Sequence, residues 1–313
     1  MGNMGVLEAG MLIGRQIAIM FIILLIGAGC YMKGIISKDG TKQLSKIALY
    51  IVNPVLIFMS YQTEYSSRLL KGLAWSFLLS AVTFALAISL SMIAVHKNRE
   101  DASLERFSAV YSNCGFIGIP LINGIFGTEG VLYLTAYVTL FNILVWTHGL
   151  MQMKGEKDFT SLLKALRSPS VIAVFLGLAT YLTQIHLPEV PLSSLKYISD
   201  MNTPLAMLIA GASAAQTNFF KAMKNPGLYI VSALKLLVIP LICCVAMSFI
   251  PAPPLVIMVV TIACACPVAT TGTMFAIMFD RKPLRCAEFF AFTTLLSAFT
   301  LPVVTMAAAG IVR

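Results

Sequence analysis

Apolar runs of about 20 residues recur along nearly the whole chain, and short polar segments separate them. A helix of that length crosses the hydrocarbon core of a bilayer, which is about 30 Å thick. Of the 313 residues, 58% are hydrophobic and only 11% are charged, whereas soluble proteins carry about 25% charged residues. The chain is therefore predicted to be an all-α, multi-pass membrane protein whose main solvent is lipid.

Ten such runs are predicted to be transmembrane helices, five in each half of the chain. Those of the first half cover residues 16–36, 43–61, 70–95, 107–126 and 130–153, and those of the second half cover 169–185, 195–215, 227–250, 255–279 and 286–312. The halves 1–153 and 169–313 are predicted to be two five-helix repeats joined by a cytosolic linker, 154–168. The first run is longer than a signal-peptide core and lacks a clear cleavage site, so it is predicted to be retained.

Basic residues are divided unevenly between the two sides that ten spans define. One set of alternate loops holds 16 of the 22 Lys and Arg residues, the other holds five, and Lys235 lies inside the eighth span. Basic loops favour the cytoplasmic side, so both termini are predicted outside in an inner (plasma) membrane protein. The net charge of +9 thus reflects topology, and without a basic motif interleaved with aromatics no nucleic-acid partner is expected.

Neither a cofactor nor a metal site is predicted. Six of the seven cysteines lie inside apolar runs, and Cys264 and Cys266 lack the second pair or nearby histidine that a zinc site needs. The chain also lacks the zinc-protease, nucleophile-elbow and phosphate-loop motifs, which argues against an enzyme and against an ATP-driven pump. A secondary transporter is the leading interpretation, and a channel or a ligand sensor without active transport is the alternative.

Two pairs of matched motifs indicate an internal duplication. Because each half has an odd number of spans, related halves insert with opposite orientations, as in many secondary transporters. The second span of each half carries an Asn and Pro motif, and the fourth span of each half carries a polar stretch rich in Gly or Pro. The motifs are Asn53-Pro54, Asp200-Met201-Asn202-Thr203-Pro204, Ser112 to Pro120, and Cys266 to Thr273.

These stretches are predicted to unwind the fourth and ninth spans. Proline removes a backbone donor, and glycine permits dihedral angles that break the helix, so the freed amides and carbonyls need partners in a protein-lined or wet cavity. Helix N-termini in such a cavity suit a carboxylate without any fixed cation nearby, which predicts a small organic anion as substrate. The alternative is that these residues merely kink the helices. The predicted helix breaks are Pro54, Pro120, Pro204 and Pro267.

At these residues the chain resembles the auxin efflux carrier family, which includes plant PIN-type carriers and bacterial malate and malonate permeases. The resemblance covers nearly the whole chain. It implies a permease with ten transmembrane helices in two inverted five-helix repeats, broken and crossing fourth and ninth helices, and a bile acid sodium symporter-like fold. It also makes a homodimer plausible. It rests on Asn53-Pro54, the Ser-Asn-Cys-Gly-Phe-Ile-Gly-Ile-Pro-Leu stretch from Ser112, Gly211-Ala212-Ser213, and Cys-Pro-Val-Ala from Cys266.

The resemblance implies a substrate site around the crossing of the two broken helices. A short linker, where plant carriers have a long cytosolic loop, and Val268, where they often have a polar amide, favour a smaller acid such as malate or malonate over an auxin-like acid. The amide groups of Asn113 and Asn142 can donate to a carboxylate. The predicted substrate-binding residues are Ser112, Asn113, Cys114, Gly115, Asn142, Thr147, Pro267, Val268, Ala269, Thr270 and Asn53.

Three ionisable residues allow two interpretations each. Lys235 is close enough to the cytosolic end of its span for its stem to snorkel, or its charge serves the substrate or the coupling ion. His148 is a structural histidine or part of a proton relay. Asp200 caps a helix or, with Asn202, coordinates a cation. Because no Asp or Glu falls at the centre of a span, coupling to protons or sodium is left open.

Overall fold

A computed structural model describes residues 6–154, 167, 169–185, 187–217, 223–279 and 281–312. In this part of the chain the regular structure is helical, without a β-strand. The first half contains α1 (Val6–Met32), α2 (Lys38–Ile47), α3 (Asn53–Ser60), α4 (Ser67–Ala94), α5 (Ala102–Val110), α6 (Ile119–Leu144) and α7 (Leu150–Lys154). The second half contains α8 (Pro169–Thr183), α9 (Glu189–Asp200), α10 (Asn202–Ala214), α11 (Pro226–Ala233), α12 (Ile239–Ser248), α13 (Pro254–Ala265), α14 (Thr271–Met278) and α15 (Pro283–Ile311).

Several helical stretches in the described residues are long and apolar enough to cross a bilayer. Two further helices, Pro169–Thr183 and Pro254–Ala265, are apolar but shorter. The chain is thus an all-α, multi-pass membrane protein, while ten spans in two inverted repeats stay a prediction. Most of the predicted linker, 154–168, lies outside the described residues. The long stretches are Gly14–Met32, Lys38–Ser60, Ser67–Ala94, Cys114–Met153, Pro226–Ser248 and Leu284–Ile311.

Gly127 interrupts the longest of these stretches. As one straight helix, Cys114–Met153 would extend about 60 Å, twice the thickness of the hydrocarbon core. Gly127 has φ 64° and ψ −157°, a conformation that only a residue without a Cβ adopts readily. The interruption falls between the fourth and fifth predicted spans, which end at residue 126 and begin at residue 130.

In the described part of the chain, four π-helical turns lie between consecutive helices, and three of them precede a proline. Ala48–Val52, Cys114–Gly118 and Leu234–Val238 each end two residues before Pro54, Pro120 or Pro240. These prolines occupy the first turn of the next helix, where the missing N–H is not needed. The wider turn continues the helix, so the chain does not unwind at Pro54 or Pro120 itself. The fourth π-helical turn is Val145–Gly149.

Helix α13, in the second half, is buried along most of its length. Ten consecutive residues of α13, from Val256 to Ala265, are buried, and the helix contacts α4, α6, α12 and α15. Such a helix is apolar on every side because protein surrounds it. Helix α13 leads directly into the second of the two polar stretches singled out above.

Helices α1 and α10 approach each other through glycines. A Cβ at Gly27 would overlap the backbone of Leu208, and one at Gly211 would overlap the carbonyl of Leu24. Small residues allow such close backbone contact between membrane helices, where van der Waals packing drives association. The contact joins the first helix of one half of the chain to a helix of the other half.

Candidate functional site

Two non-helical segments, 111–113 and 266–270, lie side by side and are called the unwound pair below. The amide N of Asn113 donates to the carbonyl O of Pro267 at 2.7 Å, and the amide N of Ala269 donates to the carbonyl O of Tyr111 at 3.0 Å. These bonds make an antiparallel bridge between Ser112 and Val268. Both stretches unwind at residues the sequence singled out, and of the four predicted proline breaks only Pro267 lies in an unwound segment.

The unwound pair brings four helix ends together. Helices α5 and α13 end at it, at Val110 and Ala265, and the π-helical turn Cys114–Gly118 and helix α14 begin after it. The first-half segment thus meets its second-half counterpart through the backbone. Each segment supplies one amide and one carbonyl to the other, which pairs part of the backbone that the breaks set free, as the absence of water in a bilayer requires.

Lys235 reaches this pair from the π-helical turn Leu234–Val238. Its side chain is 0% exposed. The ammonium Nζ donates to Ser112 Oγ at 2.5 Å and to the carbonyl O of Val110 at 3.2 Å. The snorkelling interpretation is therefore wrong, because this turn packs against α5 and α13 and directs the stem inward. The expectation of a site without a fixed cation nearby is wrong for the same reason.

Ser112 links Lys235 to the second broken helix. Its Oγ donates to the carbonyl O of Cys264 at 3.1 Å and lies 3.2 Å from the hydroxyl of Tyr137. Since the serine proton is used on Cys264, Tyr137 is the donor in that contact. Tyr137 and Lys235 were not among the predicted site residues, although a lysine inside a span is a functional signal by itself.

Asn113 has a buried donor without a partner. Its Oδ1 accepts from the amide N of Phe116 at 3.3 Å and caps the π-helical turn, while its Nδ2 has no hydrogen-bond partner. The residue is 4% exposed. A buried amide without a partner costs about 1–3 kcal/mol, so a partner from outside the protein is favoured at this atom.

The matched asparagines of the two halves contact each other. Asn202 Nδ2 donates to Asn53 Oδ1 at 2.6 Å, and both residues are buried. Gly115 adjoins this pair, since a Cβ there would lie 3.5 Å from Asn53 Nδ2. The second asparagine was predicted only as part of a motif. Pro204 lies in α10, whose break comes earlier, at the turn residue Met201.

The other predicted residues divide into two groups. Cys114, Pro267, Val268 and Ala269 are buried at the unwound pair, and the half-buried Thr270 follows them. The amide N of Val268 donates to Thr293 Oγ1 at 3.1 Å.

Asn142 and Thr147, by contrast, bond to their own helix. Asn142 Nδ2 donates to the carbonyl O of Val138 at 2.8 Å, and Thr147 Oγ1 donates to that of Ile143 at 2.7 Å.

His148 contacts the unwound pair through Tyr111. The Tyr111 hydroxyl donates to the carbonyl O of Leu144 at 2.9 Å and lies 2.9 Å from His148 Nδ1. Both contacts are satisfied when Nδ1 carries the imidazole proton. Asp200 does not cap α10, because the N-cap of that helix is Met201. The Asp200 side chain is exposed and forms an ion pair with Lys196 on α9. The capping interpretation of Asp200 is wrong.

An ion-pair cluster lies beside the start of α15. The Lys282 ammonium donates hydrogen bonds to the carboxylates of Glu100 and Asp101. Arg285 Nε lies 3.6 Å from Asp101 Oδ2. The hydrogen bonds that Lys282 donates to Asp101 and Glu100 raise its pKa, because both carboxylates favour the charged form of the lysine. The cluster joins two loops that the positive-inside count assigns to the cytosol. Among the described residues no group of three or more His, Cys, Asp or Glu residues is placed to hold a metal ion.

Comparisons with known proteins relate the chain to membrane transport proteins. A family model described as "Membrane transport protein" matches residues 12–305. An uncharacterized transporter of Methanothermobacter thermautotrophicus is 23% identical over 298 residues, 92% of this chain and 97% of the relative. An uncharacterized transporter of Methanocaldococcus jannaschii is 26% identical over 212 residues, 63% of this chain and 67% of the relative. The chain therefore belongs to this membrane transport protein family, the auxin efflux carrier family that its motifs predict.

Proposed function

We propose that the protein is a secondary transporter, a permease that carries a small organic anion across the plasma membrane by alternating access around the unwound pair. The substrate is a carboxylate such as malate or malonate, or an auxin-like acid. The proposal takes the ten-helix, inverted-repeat architecture as its frame. Membership of a membrane transport protein family supports the general activity, and the unwound pair supports the choice of site.

The observation that carries the proposal is the unpartnered amide of Asn113. Nδ2 is a donor, it is buried, and it belongs to the residue that precedes the π-helical turn Cys114–Gly118 and α6. A helix N-terminus presents free N–H groups and a partial positive charge, which stabilise an anion. A carboxylate oxygen bound there would complete the hydrogen bonding of Asn113 and lie near the positive charge of Lys235.

Alternating access needs a contact that two moving bodies share. Two backbone hydrogen bonds connect the unwound segments of the two halves, and the Lys235 side chain joins the first of them to the turn Leu234–Val238. In carriers with broken helices, rocking one body against the other exposes a fixed central site to each side in turn. The few bonds at the unwound pair are consistent with such a pivot.

The test is uptake of radiolabelled malate, malonate and indole-3-acetate into proteoliposomes, comparing wild type with Asn113→Ala. Loss of one hydrogen bond to a charged group costs about 1.5–3 kcal/mol, so we expect the variant to bind its acid at least tenfold more weakly. Asn225→Ala is the matched control. Asn225 also caps a helix and also has a buried Nδ2 without a partner, but it lies at the start of α11.

The outcomes separate the alternatives. Saturable uptake with counterflow, weakened in Asn113→Ala and preserved in Asn225→Ala, supports a carrier with its site at the unwound pair. Flux that neither saturates nor shows counterflow supports a channel, and binding without uptake supports a sensor. Equal loss in both asparagine variants, or in neither, would place the substrate elsewhere.

A further inference from the structure

The carbonyl ends of the two broken helices meet at the unwound pair. Val110 is the last residue of α5, and Cys264 lies in the last turn of α13. The final carbonyls of a helix have no partner within the helix, and the end as a whole carries about half a negative charge. Two such ends buried together need a positive group between them.

The Lys235 ammonium lies at these two helix ends. It donates directly to the Val110 carbonyl and reaches the Cys264 carbonyl through Ser112 Oγ. An ammonium has three donors, and the described residues supply two acceptors. The Lys235 ammonium is thus hydrogen-bonded to one carbonyl oxygen and one hydroxyl oxygen.

Carboxylates on the neighbouring elements have other partners. The π-helical turn of Lys235 packs against α5, α11, α12, α13 and α15. The acidic residues on these helices are Glu105 and Glu288, which pair with Arg99 and Arg285. Within the described residues no carboxylate oxygen lies within 4 Å of Lys235 Nζ. The helix ends are therefore the negative groups that its charge faces.

In carriers with discontinuous helices, unwound carbonyls and half-helix C-terminal ends coordinate the coupling cation. We propose that the Lys235 ammonium is a built-in cation in this position, so that the protein binds no sodium or other metal ion there and needs none for transport. The lysine is a positioning residue: it holds the two broken helices together and leaves the N-terminal side of the breaks to the substrate. The inference rests on the proposed function only where its test measures transport.

The first experiment measures the cation dependence of the wild-type protein. We expect initial uptake rates in NaCl, KCl and choline chloride to agree, and we expect the unfolding temperature of the substrate-free protein in detergent to be the same in the three salts. Stimulation or stabilisation of the wild type by sodium would overturn the proposal. The unfolding measurement needs no substrate, so it decides the cation question even if no tested acid is transported.

The second experiment removes the tethered charge. Lys235→Ala is expected to lower uptake at least about tenfold, as loss of a charged hydrogen bond predicts. It should also lower the unfolding temperature by at least about 2 °C. NaCl or methylammonium chloride should reverse part of both losses and choline chloride should not, because only a small cation fits the vacated position. Lys196→Ala, which removes a lysine from an exposed ion pair on α9, is the matched control without a cation response.

Two results of the second experiment would overturn the proposal. One is a Lys235→Ala variant that transports at the wild-type rate in choline chloride, and the other is a loss that neither small cation reverses. If Lys235→Ala does not fold, Lys235→Arg keeps a cation on a longer side chain and takes its place. Transport by Lys235→Arg that depends on added sodium would then contradict the proposal, whereas sodium-independent transport supports it.

Discussion

Ser112→Ala is the sharpest probe of the unwound pair, because one atom makes all the side-chain bonds of that residue. Ser112 Oγ accepts from the Lys235 ammonium at 2.5 Å, donates to the Cys264 carbonyl at 3.1 Å and lies 3.2 Å from the Tyr137 hydroxyl. A hydrogen bond to a charged group contributes about 1.5–3 kcal/mol, and a neutral one contributes about 0.5–1.5 kcal/mol. Loss of the first two bonds therefore predicts a fall of about 2–4.5 kcal/mol in the free energy of unfolding.

Ser80→Ala is the control for this measurement. Ser80 is also fully buried, but its Oγ has no hydrogen-bond partner in the described structure. Its removal is expected to leave stability unchanged or to raise it slightly, since a buried hydroxyl without a partner is unfavourable. Equilibrium unfolding of both variants in mixed micelles, followed by tryptophan fluorescence, gives the difference directly.

The reasoning would be refuted if Ser112→Ala were as stable as Ser80→Ala. A double-mutant cycle with Lys235→Met makes the test more specific. We expect a coupling energy of at least about 1 kcal/mol between the two residues, because each variant removes the same charged hydrogen bond. Additive effects would mean that the 2.5 Å contact between Lys235 and Ser112 contributes no stability.

Two further predictions concern the packing and the loops. Gly211→Ala should destabilise the protein, since its Cβ would overlap the Leu24 carbonyl, whereas Gly310→Ala in open space should be neutral or stabilising; thermal unfolding of the two variants side by side checks this. The raised pKa of Lys282 means that its ion pair contributes fully below the ordinary lysine value of 10.5 and is lost only as pH rises through the raised value. The difference in unfolding temperature between wild type and Lys282→Met should thus be constant from about pH 6 to 9, and a difference that changes across this range would contradict the assigned pairing.

Local sequence patterns predicted the class of protein and the place of both unwound segments. Hydropathy over about 20 residues reports the solvent of a helix directly, so the all-α membrane class follows from composition alone. The stretch from Ser112 and the stretch from Cys266 both stop forming helix where polar residues, glycine and proline accumulate. The second segment contains Pro267, which removes a backbone donor whatever the fold, whereas the first unwinds at Ser112 and Asn113, before Gly115 and Pro120.

Contacts between distant parts of the chain were less accessible to sequence reasoning. The direction of the Lys235 side chain depends on how a π-helical turn rotates its helix, and hydropathy does not report such a turn. Three π-helical turns end two residues before Pro54, Pro120 or Pro240. A proline inside an apolar run was therefore a signal in the sequence for such a turn. Asn142 and Thr147 were carried over from a resemblance, and their hydrogen bonds to their own helix depend on rotamers that no motif specifies.

The hydrogen bond between Asn53 and Asn202 sets two chemically identical side chains against each other. One must act as donor and the other as acceptor, so matched positions in the two halves are not equivalent at that moment. Turning both amides by half a rotation reverses the direction of the bond without moving a proton or a charge. The contact can therefore join the two segments with the hydrogen bond running in either direction.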